Sequence, residues 1–297
     1  MSLPVYDARI NQMTLGATTI GGSQAWPFCQ KDLTPQIALE ICDTTDNIAP
    51  ILACELGEVY KSPVLWAQKA EESGAQAVCL YLASIDPNGR NDNIEQAMDT
   101  IKQVLEAISL PLIIWGCGHV QKDAELFKAA IKFGSRIWAM GPVQQENHRE
   151  AAAALKKSGI KVIASTPIDV NMAKQLNIML ENEGIEAADI LIDPTVSAIG
   201  YGIEYCYSVI ERIRLAALAH HDTKLQNPLV CNIGREAWKV KESTPTCEGH
   251  TGDDRMRAVM WEASSASLLA TAGADLLILR SPQALQMTQK LFSDLTQ

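Results

Sequence analysis

The chain has 297 residues, 47% of them hydrophobic and 20% charged, an ordinary globular composition that is large enough to bury a substantial core. Its 35 acidic against 25 basic side chains leave a net charge of -10, which argues against a nucleic-acid or anionic-membrane partner, because phosphate binding needs clustered Lys and Arg. No apolar run is long enough to span a membrane, and residues 1–10 lack the basic start and apolar stretch of a secretory signal, so a soluble, cytoplasmic protein is expected.

Residues 1–35 stand outside the pattern that follows. Thr18 to Ile20 can form a strand, Gly21-Gly22 a turn, and Trp26-Pro27-Phe28 follows; we read 1–35 as an N-terminal extension closing one end of the domain. From residue 36 one alternation repeats: a short β-rich run, a turn, then a helical period. The strand candidates are QIALEIC (36–42), QAVCLYL (76–82), PLIIWGC (111–117), RIWAMG (136–141), KVIAST (161–166), DILID (189–193), PLVCNI (228–233) and DLLILR (275–280). Each is a continuous apolar run, as expected of a parallel strand buried on both faces. Between them, Ile94, Ala97, Met98, Ile101, Leu105 and Ile108 make one apolar helical stripe, and Cys206, Val209, Ile210, Ile213 and Ala217 another. Gly74, Gly134, Gly159, Gly184 and Gly273 each stand between a helical run and the next strand, where a left-handed cap is needed. Eight such units predict an α/β fold, a (β/α)8 TIM barrel over 36–297, for which roughly 250 residues is typical. No G-x-G-x-x-G follows the first strand, which weighs against a doubly wound sheet.

Barrel chemistry belongs at the carboxyl ends of the strands. No lysine stands there, so a Schiff-base mechanism has no nucleophile. His119 is a lone imidazole, better read as capping the helix that follows it. Asp43, Asp86 and Asp193 could in principle gather a magnesium ion, but loop-capping is the plainer reading. Cys247, His250, Asp253 and Asp254 share one loop, where the two aspartates look like favourable charge at a helix start. The eight cysteines include no C-x-x-C pair and read as reduced core thiols. No catalytic residue and no metal ligand is assigned. Gly116, Gly118, Gly141, Gly200 and Gly202, with Tyr201 and Tyr205 flanking the last turn, would let backbone approach a large, flat or phosphorylated ligand.

One stretch is more specific. DPTVSAIGYGIEYCYSVIERIRLAALAH at 193–220 resembles the small subunit of the corrinoid iron–sulfur protein of the anaerobic acetyl-CoA pathway, whose family includes the delta subunit of the acetyl-CoA decarbonylase/synthase complex. STPIDVNMAKQLNI (165–178), GREAWKVKE (234–242) and WEASSASLLATAGADLLILRSPQAL (261–285) extend the match, as do shorter pieces from about residue 60 onward. The resemblance implies a TIM barrel that pairs with a large subunit carrying a [4Fe–4S] cluster and a cobamide. It implies that the barrel mouth covers the corrinoid without a cluster of its own. The pair would carry a methyl group from a methyl-tetrahydropterin methyltransferase to acetyl-CoA synthase. On this basis Asn171, Asp193, Thr195, Gly200, Tyr201, Gly202, Arg235 and Glu236 are expected to face the corrinoid or the partner.

The chain departs from the family where Pro27-Phe28 leads into Cys29-Gln30-Lys31, and where Arg280-Ser281-Pro282 replaces Arg-His-Pro. Two other readings are compatible with the residues: a pterin-dependent corrinoid methyltransferase, and a divergent scaffold subunit of another corrinoid system. The first needs acids and amides near the barrel centre; the third and fourth strands end in Trp115-Gly116-Cys117 and Ala139-Met140-Gly141 without Asp or Asn, and Asp193 and Asn232 alone give it thin support.

Overall fold

The computed structural model describes residues 5–30, 33–46, 48–245 and 252–296. A two-stranded antiparallel hairpin, β1 (Met13–Leu15) and β2 (Thr18–Ile20), precedes eight parallel strands. These are β3 (Gln36–Cys42), β4 (Ala77–Tyr81), β5 (Leu112–Trp115), β6 (Ile137–Val143), β7 (Lys161–Ser165), β8 (Ile190–Asp193), β9 (Val230–Asn232) and β10 (Leu276–Leu279). Every apolar run singled out in the sequence supplies one of them. The sheet order is β8-β7-β6-β5-β4-β3-β10-β9, and its two edges meet where Ile192 bridges Leu229 in parallel and donates its N–H to Pro228 O at 2.9 Å. The sheet therefore curls round to meet itself as an eight-stranded α/β barrel.

The barrel interior holds small and branched side chains: Ala38, Cys79, Ile113, Ile163, Leu191 and Val230 sit in one buried cluster. Met13, Leu15 and Ile20 of the hairpin belong to that same cluster, and the Trp138 indole N–H donates to Thr14 O at 2.7 Å. Trp138 stands near the start of β6, so the hairpin stoppers the amino end of the barrel. Access to the interior is left to the carboxyl end.

Helices α1 (Pro50–Leu56), α2 (Pro63–Glu72), α3 (Ile94–Ala107), α4 (Val120–Ala130), α5 (His148–Leu155), α6 (Val170–Asn182), α7 (Ile203–Leu218), α8 (Ile233–Ala237), α9 (Asp254–Ala272) and α10 (Pro282–Leu295) surround the strands. Helix α3 starts on a capping box between Asn93 and Gln96 and buries Ala97, Met98, Ile101 and Leu105 of its expected stripe, with Val104 added. All five glycines expected at helix ends have positive φ. At Gly184 (φ 95°) the turn closes with Gly184 N–H on Glu181 O and Ile185 N–H on Leu180 O, a reversal that a Cβ would strain. Helix α7 buries its whole expected stripe together with Leu218 and, unexpectedly, the charged Arg214. That guanidinium donates to Gly273 O at 2.7 Å and pairs with Asp275, whose carboxylate also accepts Leu229 N–H at 2.7 Å.

Of the cysteines, Cys42, Cys79, Cys206 and Cys231 are buried as thiols in or beside the barrel, Cys29 and Cys117 are half-buried, and Cys54 is exposed. Burial pushes the Cys42 thiol up to about 11. Cys247 and His250 lie outside the described residues. Asp253 is the N-cap of α9, accepting from Arg255 and Met256 N–H, and Asp254 occupies its first turn, as the sequence suggested. No helix among the described residues is long and apolar enough to cross a membrane.

Candidate functional site

At the open end of the barrel an unexpected residue organises the floor. Glu40, in the middle of β3, is fully buried and is shared by two arginines. Arg280, just beyond β10, reaches its Oε1 through Nε (2.9 Å) and Nη2 (2.6 Å). Arg235 Nη2 and Asn232 Nδ2 each donate to Oε2 at 2.6 Å. Burial alone would raise the Glu40 carboxyl, but Arg235 and Arg280 outweigh it and hold it down to about 2. Two guanidinium groups against one carboxylate leave the floor one positive charge in excess.

Local structure explains why Arg235 arrives there. Asn232 ends β9 and caps α8, accepting Arg235 N–H at 3.4 Å, so the strand turns directly into a short helix. Gly234 lets that turn press on the end of β10: a Cβ there would stand 2.7 Å from Arg280 N. Arg235 then lies over Tyr81, its guanidinium carbon 3.7 Å from the ring centroid, with Trp115 at 5.2 Å.

Behind this floor, Glu262 of α9 is fully buried and accepts Arg280 N–H at 2.7 Å and Ser281 N–H at 3.1 Å. Burial dominates over those two hydrogen bonds and pushes its carboxyl up to about 7. A carboxyl raised on folding stabilises the native state fully below its unfolded value and loses that contribution as pH rises through the folded one. We therefore expect stability to decline between about pH 4.5 and pH 7 by up to ~3 kcal/mol on account of Glu262. Glu262→Gln should flatten that decline in urea titrations run at several pH values. An unchanged slope would show that Glu262 is not the group titrating.

On β8, the strand beside β9 where the sheet closes, Asp193 ends the strand next to Arg235. Its carboxylate accepts Ser165 Oγ at 2.7 Å and Thr195 N–H at 3.0 Å, and burial pushes it up to about 6 against those bonds. Over the ends of β5 to β9 opens a cleft of about 630 Å³, within the range of small-molecule sites. Its polar lining includes Gln144, Thr166, Asp193, Asn232 and Arg235; Trp115, Pro142, Pro167 and Leu176 supply apolar walls.

Four of the residues singled out in the sequence, Asp193, Thr195, Arg235 and Glu236, line this cleft together. Four do not. Asn171 is exposed in the first turn of α6, its N–H held by Asp169 at 2.7 Å. Gly200, Tyr201 and Gly202 form the turn before α7, a few residues beyond the cleft-lining Ser197; Tyr201 is 79% exposed and Tyr205, in the first turn of α7, 61%. The glycines expected to admit a ligand mostly admit protein instead. A Cβ on Gly200 would meet Val240 and one on Gly202 the Tyr205 ring, each at 2.5 Å; on Gly141 it would meet Ile163 at 2.6 Å, and on Gly116 the Asp123 carboxylate. Asp123 accepts Cys117 and Gly118 N–H at 2.9 Å, closing that turn on itself. Gly118 alone of the five (φ 88°) faces open space.

His119 caps α4, accepting Lys122 N–H. Asp43 holds Ser84 N–H and Oγ, and Asp86 holds Asn88 N–H. Asp43 and Asp86 thus both hold the loop after β4 and Asp193 the one after β8, and the described residues contain no cluster of three metal-ligating side chains. Glu40 and Gln144 escaped the sequence reading. The available signal for Glu40 was a lone charge inside QIALEIC.

The family model described as CO dehydrogenase/acetyl-CoA synthase delta subunit matches residues 15–294 of this chain. The chain belongs to that family. The acetyl-CoA decarbonylase/synthase complex subunit delta of Methanopyrus kandleri is 34% identical over 277 residues, covering 91% of this chain and 68% of that protein. Its counterpart in Archaeoglobus fulgidus is 30% identical over 318 residues, covering 98% and 69%. This delta-family chain thus spans about two thirds of the length of those relatives. Among solved structures, Burkholderia cenocepacia dihydropteroate synthase, complexed with 7,8-dihydropteroate, superposes with a TM-score of 0.62 at 12% identity, covering 96% of this chain and 95% of that one. That likeness is one of fold, and it agrees with the barrel described above.

Proposed function

We propose that this delta-family chain is the barrel subunit of a corrinoid methyl carrier. In this reading its open mouth covers a cobamide held by a large, cluster-bearing partner while a methyl group passes from a methyl-tetrahydropterin methyltransferase to acetyl-CoA synthase. The observation that carries it is the exposed pair Tyr201 and Tyr205, which follow the cleft-lining Val196 and Ser197 in the loop and first turn after β8 at the carboxyl end of the barrel. Exposed aromatic side chains beside a concave, partly polar surface mark a contact face, since they contribute large apolar area at small entropic cost.

The mouth suits a flat macrocycle edged with carboxamides. Tyr201 and Tyr205 offer apolar surface for its face, and Gln144, Gln145 and Ser197 offer amide and hydroxyl groups for its periphery. The bound cobamide would supply the cobalt that carries the methyl group. This chain's residues would orient the ring and exclude water from that face. Arg235 is fixed for such a role by Glu40 beneath it and Tyr81 beside it. Membership of the delta-subunit family supports the partner and the pathway.

The test is a titration of the cobamide-bearing large subunit with this chain. The corrinoid visible absorption should shift and saturate at one chain per cobamide. A large subunit whose spectrum and elution volume ignore the added chain would remove the reading.

A further inference from the structure

Several polar groups in the cleft are left with nothing to bond. Thr166, next to the end of β7, is 4% exposed, and its Oγ1 has no hydrogen-bond partner among the described residues. Leaving a buried hydroxyl unsatisfied costs ~1–3 kcal/mol, and valine would fill the same space without that cost. Folding alone gives no reason for a hydroxyl there. Arg235 commits Nη2 to Glu40; its Nε is buried without a partner, and Nη1 bonds to no described residue. Asp193 takes one hydrogen bond on each oxygen and has acceptor capacity to spare. The half-buried Gln144 side chain is likewise unengaged among the described residues.

The charges exclude simple ions. Glu146 and Asp193 line the cleft against Arg235, whose own charge is shared with Glu40, while Glu236 is already paired with Lys239 at 2.9 Å, so the floor's excess positive charge is offset and an anion gains no net attraction. A cation would be set against Arg235 and Arg280. What remains is a neutral group that both donates and accepts, with flat faces to set against the apolar walls of Trp115, Pro142 and Pro167.

We propose that the cleft binds the amide edge of a flat ligand, its N–H donating to Asp193, its carbonyl oxygen accepting from Arg235, and Thr166 completing the set. Two sources present that edge: a free lactam heterocycle, and a carboxamide arm of a cobamide. The second deepens the function proposed above and rests on it, whereas the first stands without it.

The experiment uses the isolated full chain and three probes, followed by tryptophan fluorescence and by saturation-transfer NMR of the probe. Hypoxanthine carries a lactam; purine is the same ring system without it; dicyanocobinamide carries carboxamides on a corrin. Thr166→Val is the deciding variant, because the hydroxyl it removes holds nothing in the fold and the melting temperature should not fall.

A free-lactam site predicts hypoxanthine binding about tenfold or more tighter than purine, weakened ~3–10-fold by Thr166→Val. A carboxamide site predicts saturable cobinamide binding with that same loss and a silent hypoxanthine. Equal binding of hypoxanthine and purine, binding indifferent to Thr166→Val, or no binding of any probe overturns the proposal. In the last case a successful large-subunit titration would still leave the proposed function standing, so the two can fail separately.

Discussion

Glu40→Ala should be among the most destabilising single substitutions in this protein, costing ~3–5 kcal/mol, because it leaves Arg280 and Arg235 facing each other at the barrel floor without their carboxylate. The cost is not the worth of an ion pair in isolation. Two charges brought together out of water are offset by one another, and removing one partner exposes the desolvation penalty of what remains. Glu40→Gln keeps an acceptor for Asn232 and one arginine and should cost less. Removing Glu40 and Arg280 together, as Glu40→Leu with Arg280→Met, should cost less than Glu40→Ala alone, since no uncompensated Arg280 charge then stays buried. Urea unfolding of the four proteins checks this order. Since the Glu40 carboxyl is held down to about 2 in the folded state against an ordinary 4.5, its contribution is present above pH 4.5 and fades only as pH falls toward 2. The difference between wild type and Glu40→Ala should therefore be constant from pH 5 to pH 8. A loss under ~1 kcal/mol would show that the floor is not built on this residue.

A second large effect is expected at the rim, on binding rather than on folding. Tyr201 and Tyr205 are 79% and 61% exposed, so truncating both to alanine removes little that the folded chain uses and should leave the melting temperature close to wild type. If they anchor the partner and its cobamide, the pair should behave as interface hot spots, each worth ~2 kcal/mol or more when desolvated. The double variant Tyr201→Ala/Tyr205→Ala should then weaken the large-subunit titration by about 1,000-fold if the two effects add, and by no less than about 30-fold if they overlap fully. Unchanged affinity would move the interface elsewhere on the barrel. Wild-type affinity together with a lowered melting temperature would make both tyrosines structural.

The architecture was legible in the sequence because each barrel strand is a short apolar run that must be covered on both faces, and such runs announce themselves without reference to their neighbours. KVIAST and DILID became β7 and β8 nearly residue for residue. Cap glycines were legible for the same local reason: the backbone reversal at Gly184 requires a conformation that few other residues adopt. Half of the candidate site was legible too, since Asp193, Thr195, Arg235 and Glu236 stand at strand ends where the barrel gathers them. What escaped depends on closure. Glu40 acquires its meaning only when β9 and β10 bring Asn232, Arg235 and Arg280 onto it from about 190 to 240 residues away, and no local pattern records that meeting. The glycines misled for a related reason. A glycine permits close approach without saying of what, and at Gly200, Gly202 and Gly141 the approaching groups are Val240, Tyr205 and Ile163.

The central claim is that the carboxyl mouth of this barrel is the face turned to the corrinoid-bearing partner, and hydrogen exchange of the chain with and without the cobamide-loaded large subunit tests it most directly. Protection should concentrate at 144–146, 166–172, 195–205 and 235–240, the segments that frame the cleft and its tyrosine rim. Protection confined to the hairpin at 13–20 or to the outer faces of α9 and α10, with the mouth exchanging as in the free chain, would contradict it.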